Sequence, residues 1–221
     1  MLVVRHVVVG PFAMNAWLAG CDRTGEAVLI DPGAEIPRVL ALCEPGGFKV
    51  TRIVLTHGHV DHVSGAAEAS EATGAPVQLH QADQYWLDIL PQQAAMFGFP
   101  PAKAPAVAHR HGHGETFTVG DHEARILHVP GHTPGGCAVF FPGSKDLFVG
   151  DTLFAGSVGR TDLLGGDAAA LLRSIREVLF PLGDDVRFHP GHGPSALLGD
   201  ERRSNPYVGE GARARVAGRG L

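Results

Sequence analysis

Apolar residues along this chain follow two periods. Short runs rich in Val, Ile, Leu and Phe, bounded by Gly, Pro and Asp, predict strands near 3–9, 13–18, 26–31, 50–55 and 76–79. Further runs of the same kind lie near 116–119, 123–129, 137–141, 146–149 and 186–189. Helical spacing falls near 36–43, 62–73, 81–90, 167–180 and 195–204. In the fourth of these Asp167 can cap, and Leu171, Leu172, Ile175, Val178 and Leu179 keep to one helical face. Some strands arrive as hairpins and others singly between helices. That mixture predicts an α/β architecture of the αββα type, two mixed sheets face to face with helices outside and the loops of interest along one edge.

The chemistry is concentrated where strands end. The run Val50–Leu55 delivers Thr56-His57-Gly58-His59-Val60-Asp61-His62, four metal-type side chains within six residues. His57 and His59 can project to one side, while Asp61 and His62 lie past the bend and can face a second point. Imidazole and carboxylate together suit zinc, iron or manganese. Three later turns repeat the pattern: PGHTPGG presents His132, GDTLF presents Asp151, and HPGHGP presents His192. In each, small residues let the backbone turn tightly and a ligand-type side chain stands at the turn.

An early Asp, then His-x-His-x-Asp-His, then His, Asp and His in that order resembles the metallo-β-lactamase superfamily. Here the series is Asp31, His57/His59/Asp61/His62, His132, Asp151 and His192. GDTLFAGSVGRTD, LPQQAAMFG, PLGDDVRFHPGHGP and LGDERRSNP make the chain most similar to short, single-domain glyoxalase-II-like hydrolases. The resemblance implies that His57, His59 and His132 hold one divalent metal, that Asp61, His62 and His192 hold the other, and that Asp151 bridges them. Zinc is the expected metal, with iron or manganese as alternatives. Asp61 and Asp151 would hold the attacking hydroxide, and Asp31 would support the site from behind the ligands. The implied reaction is hydrolysis of a thioester, S-D-lactoylglutathione first. Full-length glyoxalase II carries a C-terminal helical domain that grips glutathione, and this chain ends soon after His192.

Composition narrows the setting. A chain of 221 residues with 44% hydrophobic residues is long enough for one substantial core, and none of its apolar runs reaches membrane-spanning length. The expected organisation is one hydrolase domain over 1–207 with a flexible tail over 208–221, where Arg213, Arg215 and Arg219 stand among Gly and Ala. A formal charge of -5 argues against a nucleic-acid partner. The start MLVVRHVVVG reads as a first strand rather than a leader, and Cys21, Cys43 and Cys137 show no CxxC spacing, which favours reduced thiols in a cytoplasmic protein; the partner the resemblance implies is a small-molecule thioester.

Other stretches have competing readings. His109, His111 and His113 in AHRHGHGE read as a solvated surface cluster, and His6, His80, His122, His128 and His189 as ordinary surface or core histidines. Tyr85–Phe99 is either core packing or an apolar wall over the metals. Arg160 is either paired with Asp162 or a substrate-binding clamp for a carboxylate, with the clamp preferred. A mononuclear-iron persulfide dioxygenase of the same fold is the alternative to the hydrolase, and a non-catalytic metal-binding module the lesser one.

Overall fold

Alternation along the strands sorts the core into three layers. In β3 (Glu26–Ile30), Ala27 and Leu29 face one side while Val28 and Ile30 face the other. β9 (Cys137–Phe141) divides likewise, with Cys137, Val139 and Phe141 on one face and Ala138 and Phe140 on the other. A strand buried on both faces needs a covering layer on each, and this is what a sheet in the middle of a four-layer sandwich has.

The computed structural model describes residues 1–212. Its first sheet runs β1 (Leu2–Val9), β2 (Met14–Cys21), β3, β4 (Lys49–Val54), β5 (Val77–Gln78) and β6 (Val107–His109), in that order. The first two pairings are antiparallel and the last three parallel. The second sheet runs β7 (Thr116–Val119), β8 (His122–His128), β9, β10 (Asp146–Gly150), then β13 (Arg187–Pro190) and β14 (Ala196–Leu197), with β11 (Leu153–Phe154) and β12 (Ser157–Val158) forming a separate hairpin. Between the sheets lie Trp17, Val28, Ile30 and Val54 from one side and Ile126, Val139, Phe141 and Phe148 from the other. The helices α1 (Ile36–Leu40), α2 (Val60–Val63), α3 (Ala66–Thr73), α4 (Gln84–Asp88) and α5 (Leu90–Phe97) supply the outer layer of the first sheet. α6 (Ala168–Arg173), its wider-wound continuation to Leu179, and α7 (Leu198–Ser204) cover the second. The αββα sandwich expected from the hydrophobic pattern is the one observed.

Several boundaries differ from expectation. The helix expected over 62–73 is two helices broken at Ser64–Gly65, and the one at 81–90 breaks before Pro91 and resumes to Phe97. The stretch expected to be helical from 195 first pairs as β14. Val107–His109, expected to be loop, joins the first sheet beside β5. Packing also runs past residue 207: Val208 is 2% exposed in the second outer layer, Ala212 is 5% exposed, and Arg176 Nε donates to the Val208 carbonyl. Arg213, Arg215 and Arg219 lie outside the described residues.

Phe148 is fully buried between the sheets, edge-on to Trp17 and Phe141. Phe148→Ala should therefore cost about 3–5 kcal/mol, as large-to-small changes at packed aromatic sites do. A denaturant midpoint that does not move would show that the inter-sheet layer is not the packed core described.

Candidate metal centre

Strand direction gathers the ligands. β3 and β4 run parallel, and β8, β10 and β13 share a direction because β9 opposes both β8 and β10. Asp31 follows β3, the His57–His62 loop follows β4, His132 follows β8, Asp151 follows β10 and His192 follows β13. All open on one edge. Donor atoms of His57, His59 and His132 lie within 4.8 Å of one another, and so do those of Asp61, His62 and His192. Asp151 stands between the two sets: its Oδ1 is 3.3 Å from His62 Nε2, and its Oδ2 is 3.7 Å from His132 Nε2 and 3.5 Å from His192 Nε2.

Outward anchors fix which way each ring faces. His132 Nδ1 donates to the Arg160 carbonyl at 2.8 Å, His192 Nδ1 to the Phe12 carbonyl at 3.1 Å, and His62 Nδ1 to Asp31 Oδ2 at 2.8 Å. Thr56 Oγ1 spends its proton on Asp31 Oδ2 at 2.6 Å, so it accepts from His57 Nδ1 at 3.1 Å. A carbonyl or carboxylate only accepts, and each of these rings must therefore carry a proton on Nδ1 and turn Nε2 inward. Histidines that hold metals are oriented in this manner. His59 is the exception, meeting His132 Nε2 through Nδ1 at 2.9 Å. Among the buried polar atoms without a hydrogen-bond partner are His57 Nε2, His59 Nε2, His62 Nε2 and Asp151 Oδ1. Such orphans are costly and uncommon in a folded chain. A divalent metal is the group that fits His57 Nε2, His62 Nε2 and Asp151 Oδ1, because two imidazole nitrogens and a carboxylate oxygen converge there.

Asp31 is hydrogen-bonded on both carboxylate oxygens. It takes Thr56 N at 2.7 Å on one oxygen and Thr56 Oγ1 and His62 Nδ1 on the other. Its backbone sits at φ 51°, in the left-handed region that Asp tolerates better than most residues. Glycine is required nearby: a Cβ on Gly191 would stand 2.3 Å from Asp151 Oδ1 and 2.5 Å from His62 Cε1.

Two supports were not legible in the sequence. Asp83 is fully buried and receives Gly58 N at 3.0 Å, Thr133 Oγ1 at 2.8 Å and Gly135 N at 2.6 Å, tying the His57–His62 loop to the His132 loop. Burial pushes its pKa up, against those three donors. Gln93, also buried, accepts from Val60 N at 3.1 Å and donates to the carbonyls of Gly58 at 3.2 Å and Trp86 at 2.7 Å. Their partners lie 25 to 52 residues away for Asp83, and no local motif announces them.

Electrostatics separate the two ligand sets. Burial and the neighbouring imidazoles hold His57 well below its ordinary pKa and His59 down to about 3. Burial pushes His62 the same way, but Asp151, Asp61 and Asp31 together outweigh it and raise its pKa well above ordinary. Burial would also lift Asp151, yet His62, His132 and His192 hold it well below the usual carboxylate range.

Above the ligands opens a cavity of about 500 Å³. Tyr85–Phe99 serves both roles weighed for it: Leu87, Leu90, Ala94 and Phe99 enter the core, while Tyr85, Ile89, Met96 and Phe97 line the cavity. Arg160 also lines it, but its guanidinium is not a free fork, since Nε and Nη2 donate to Asp162 at 2.7 and 2.8 Å. The His109–His113 tract is not simply solvated. His109 is exposed and paired with Glu115 at 2.5 Å, but His111 is 2% exposed because β6 draws the chain onto the sheet edge. His80 and His128 stack at 4.3 Å nearby, yet among the described residues no three donor atoms of this group come within 4.8 Å of one another.

Two outcomes follow from this geometry. Asp83→Ala should weaken metal affinity by about 10–100-fold, as loss of a supporting partner does, and cost about 1–3 kcal/mol for the donors left unpaired. Chelator competition and urea unfolding measure the two separately; lost stability with unchanged affinity would make Asp83 a residue of the fold alone. The carboxylates around His62 raise its pKa well above ordinary, so a metal must displace its proton, whereas burial and neighbouring imidazoles hold His57 and His59 low. Metal loading near pH 7 should thus release at least about one proton per chain, and affinity should rise with pH up to the raised His62 pKa. Titration in dilute buffer with an indicator dye checks this, and loading without acidification would contradict it.

Known proteins place this arrangement. Residues 9–192 match the Metallo-beta-lactamase superfamily. The chain is 37% identical over 208 residues to a protein named hydroxyacylglutathione hydrolase GloC from Haemophilus influenzae, covering 93% of this chain and 97% of that one. Among solved structures it is similar to the BLEG-1 B3 metallo-beta-lactamase, with TM-score 0.86, 32% identity and coverage of 93% and 99%. It is similar also to TTHA1623 in a di-iron-bound form, with TM-score 0.83, 39% identity and coverage of 92% and 100%. Fold, ordered ligands and these likenesses agree: the chain belongs to the metallo-β-lactamase superfamily.

Proposed function

We propose that this chain is a dinuclear metallo-hydrolase that cleaves a thioester, with hydroxyacyl thioesters such as S-D-lactoylglutathione as the first class to test. The observation that carries the proposal is the inward convergence of two donor sets, His57/His59/His132 and Asp61/His62/His192, on either side of Asp151. The relative named hydroxyacylglutathione hydrolase supports the choice of substrate.

His57, His59 and His132 would hold one cation, Asp61, His62 and His192 would hold another, and Asp151 would be available to both. When bound, two divalent cations supply the acidity that ionises a water at neutral pH and the positive charge that a developing oxyanion needs. Zinc is the first metal to test; iron and manganese suit the same donors, and the likeness to a di-iron protein gives iron weight. Asp61 and Asp151 stay ionised, both held below the usual carboxylate range, and orient the attacking water by accepting its hydrogen bonds. His132 and His192 keep their places because carbonyls of Arg160 and Phe12 hold their far sides. Trp86, Ile89 and Phe97 keep bulk water from the reacting carbonyl. A thiolate leaves without a proton, so no acid is required on the leaving-group side. Arg160 contacts substrate as half of a neutral pair with Asp162.

The zinc-loaded protein should hydrolyse a hydroxyacyl thioester, and Asp151→Ala should lower kcat/KM by at least about a thousandfold, the several kcal/mol expected when both cations lose their shared ligand. His192→Ala should chiefly deplete the second set. The persulfide dioxygenase reading needs one iron and leaves Asp61, His62 and His192 without a task. A preparation with one iron per chain that consumes oxygen with a persulfide, and leaves thioesters intact, would overturn the hydrolase.

A further inference from the structure

The surface of this chain exposes seven large hydrophobic side chains among its described residues, and four of them ring one opening. Phe12, Tyr85, Met96 and Leu164, exposed at 44, 49, 77 and 64%, all line the cavity above the metal centre. Behind them its wall continues as Trp86, Ile89, Phe97 and Leu163. Single exposed apolar residues need no explanation, but a contiguous apolar rim around a functional cavity marks a surface kept for a ligand.

Charge around the same opening points the same way. Among the described residues lining it, Arg160 is the sole Lys or Arg, and its fork is closed on Asp162, which also lines the cavity. Glutathione carries two carboxylates and an ammonium, and a site that grips it needs unpaired cations against those carboxylates. Opening the Arg160–Asp162 pair to serve a substrate would leave Asp162 facing the incoming anion.

We infer that this chamber selects thioesters whose thiol-derived arm is uncharged and apolar, of aromatic or medium-chain size, and disfavours the anionic arm of glutathione. The occupant is the arm that reaches from the carbonyl at the metals, past Trp86 and Phe97, to the Met96–Leu164 rim. The cleavage part of the inference rests on the thioesterase reading; the binding part does not.

The test uses three substrates with the same D-lactoyl group and different thiols: glutathione, N-acetylcysteamine and benzyl mercaptan. With the metal-loaded protein, kcat/KM should be highest for the benzyl arm and lowest for glutathione, the extremes differing by at least about tenfold through KM, as burial of one ring allows. Leu164→Glu, at the exposed rim, should reduce that preference. A glutathione substrate that equals or exceeds the benzyl one would overturn the inference. Binding of two uncleavable thioethers, S-benzylglutathione and benzyl N-acetylcysteamine thioether, is measured in parallel by calorimetry. If no thioester is cleaved, the proposed function falls, and binding alone decides: the neutral thioether tighter by about tenfold supports apolar selection, while equal or reversed affinities overturn it.

Discussion

Three carboxylates, Asp31, Asp61 and Asp151, stand among five imidazoles at one edge of the sandwich, and no Lys or Arg is buried among the described residues to balance them. Charge taken out of water must be compensated or neutralised. Much of the local structure follows from that demand. Asp31 takes two donors from Thr56 and one from His62, the Nδ1 faces of four rings are tied to oxygens, and glycine lets Gly191 approach Asp151. What is left pointing inward is a set of lone pairs and carboxylate oxygens whose compensation is cationic. His62, with its raised pKa, is the chain's own partial answer. Divalent metals are the complete one.

The fold and the His and Asp cluster were readable because their signals are local. A strand followed by a small-residue turn and a His or Asp can be recognised within a dozen residues, and alternation in β3 and β9 states that both faces are covered. Asp83 and Gln93 were missed for the opposite reason: their partners, backbone groups and the Thr133 hydroxyl, are brought near by the tertiary fold. β6 and the β11–β12 hairpin were missed because their two or three residues lie among Gly, Pro and polar positions with no flanking apolar run, and sheet pairing supplies what propensity does not. His111 is buried as a consequence of β6, which the sequence pattern gave no reason to expect. Arg160, expected as a substrate clamp, lines the cavity paired with Asp162, and a side chain's partner two residues along is decided by rotamer and exposure rather than by spacing.

The helical segment over the site shows how one stretch can belong to two surfaces. Tyr85, Ile89, Gln92 and Met96 recur at helical spacing toward the cavity, while Leu90 and Ala94 recur toward the core, so the break before Pro91 does not change which face is which. The His and Asp cluster lies at the base of the cavity, and this wall together with the Arg160–Asp162 pair lines the way to it. A superfamily with one ligand geometry can thereby serve different substrates, because function is argued from the site and its walls rather than from the fold.

Anomalous diffraction from crystals of the metal-loaded protein tests the central claim most directly. The expected result is two peaks per chain, one against His57, His59 and His132, the other against Asp61, His62 and His192, with Asp151 between them. A single fully occupied peak, or a metal held instead by the His80, His111 and His128 group, would contradict it.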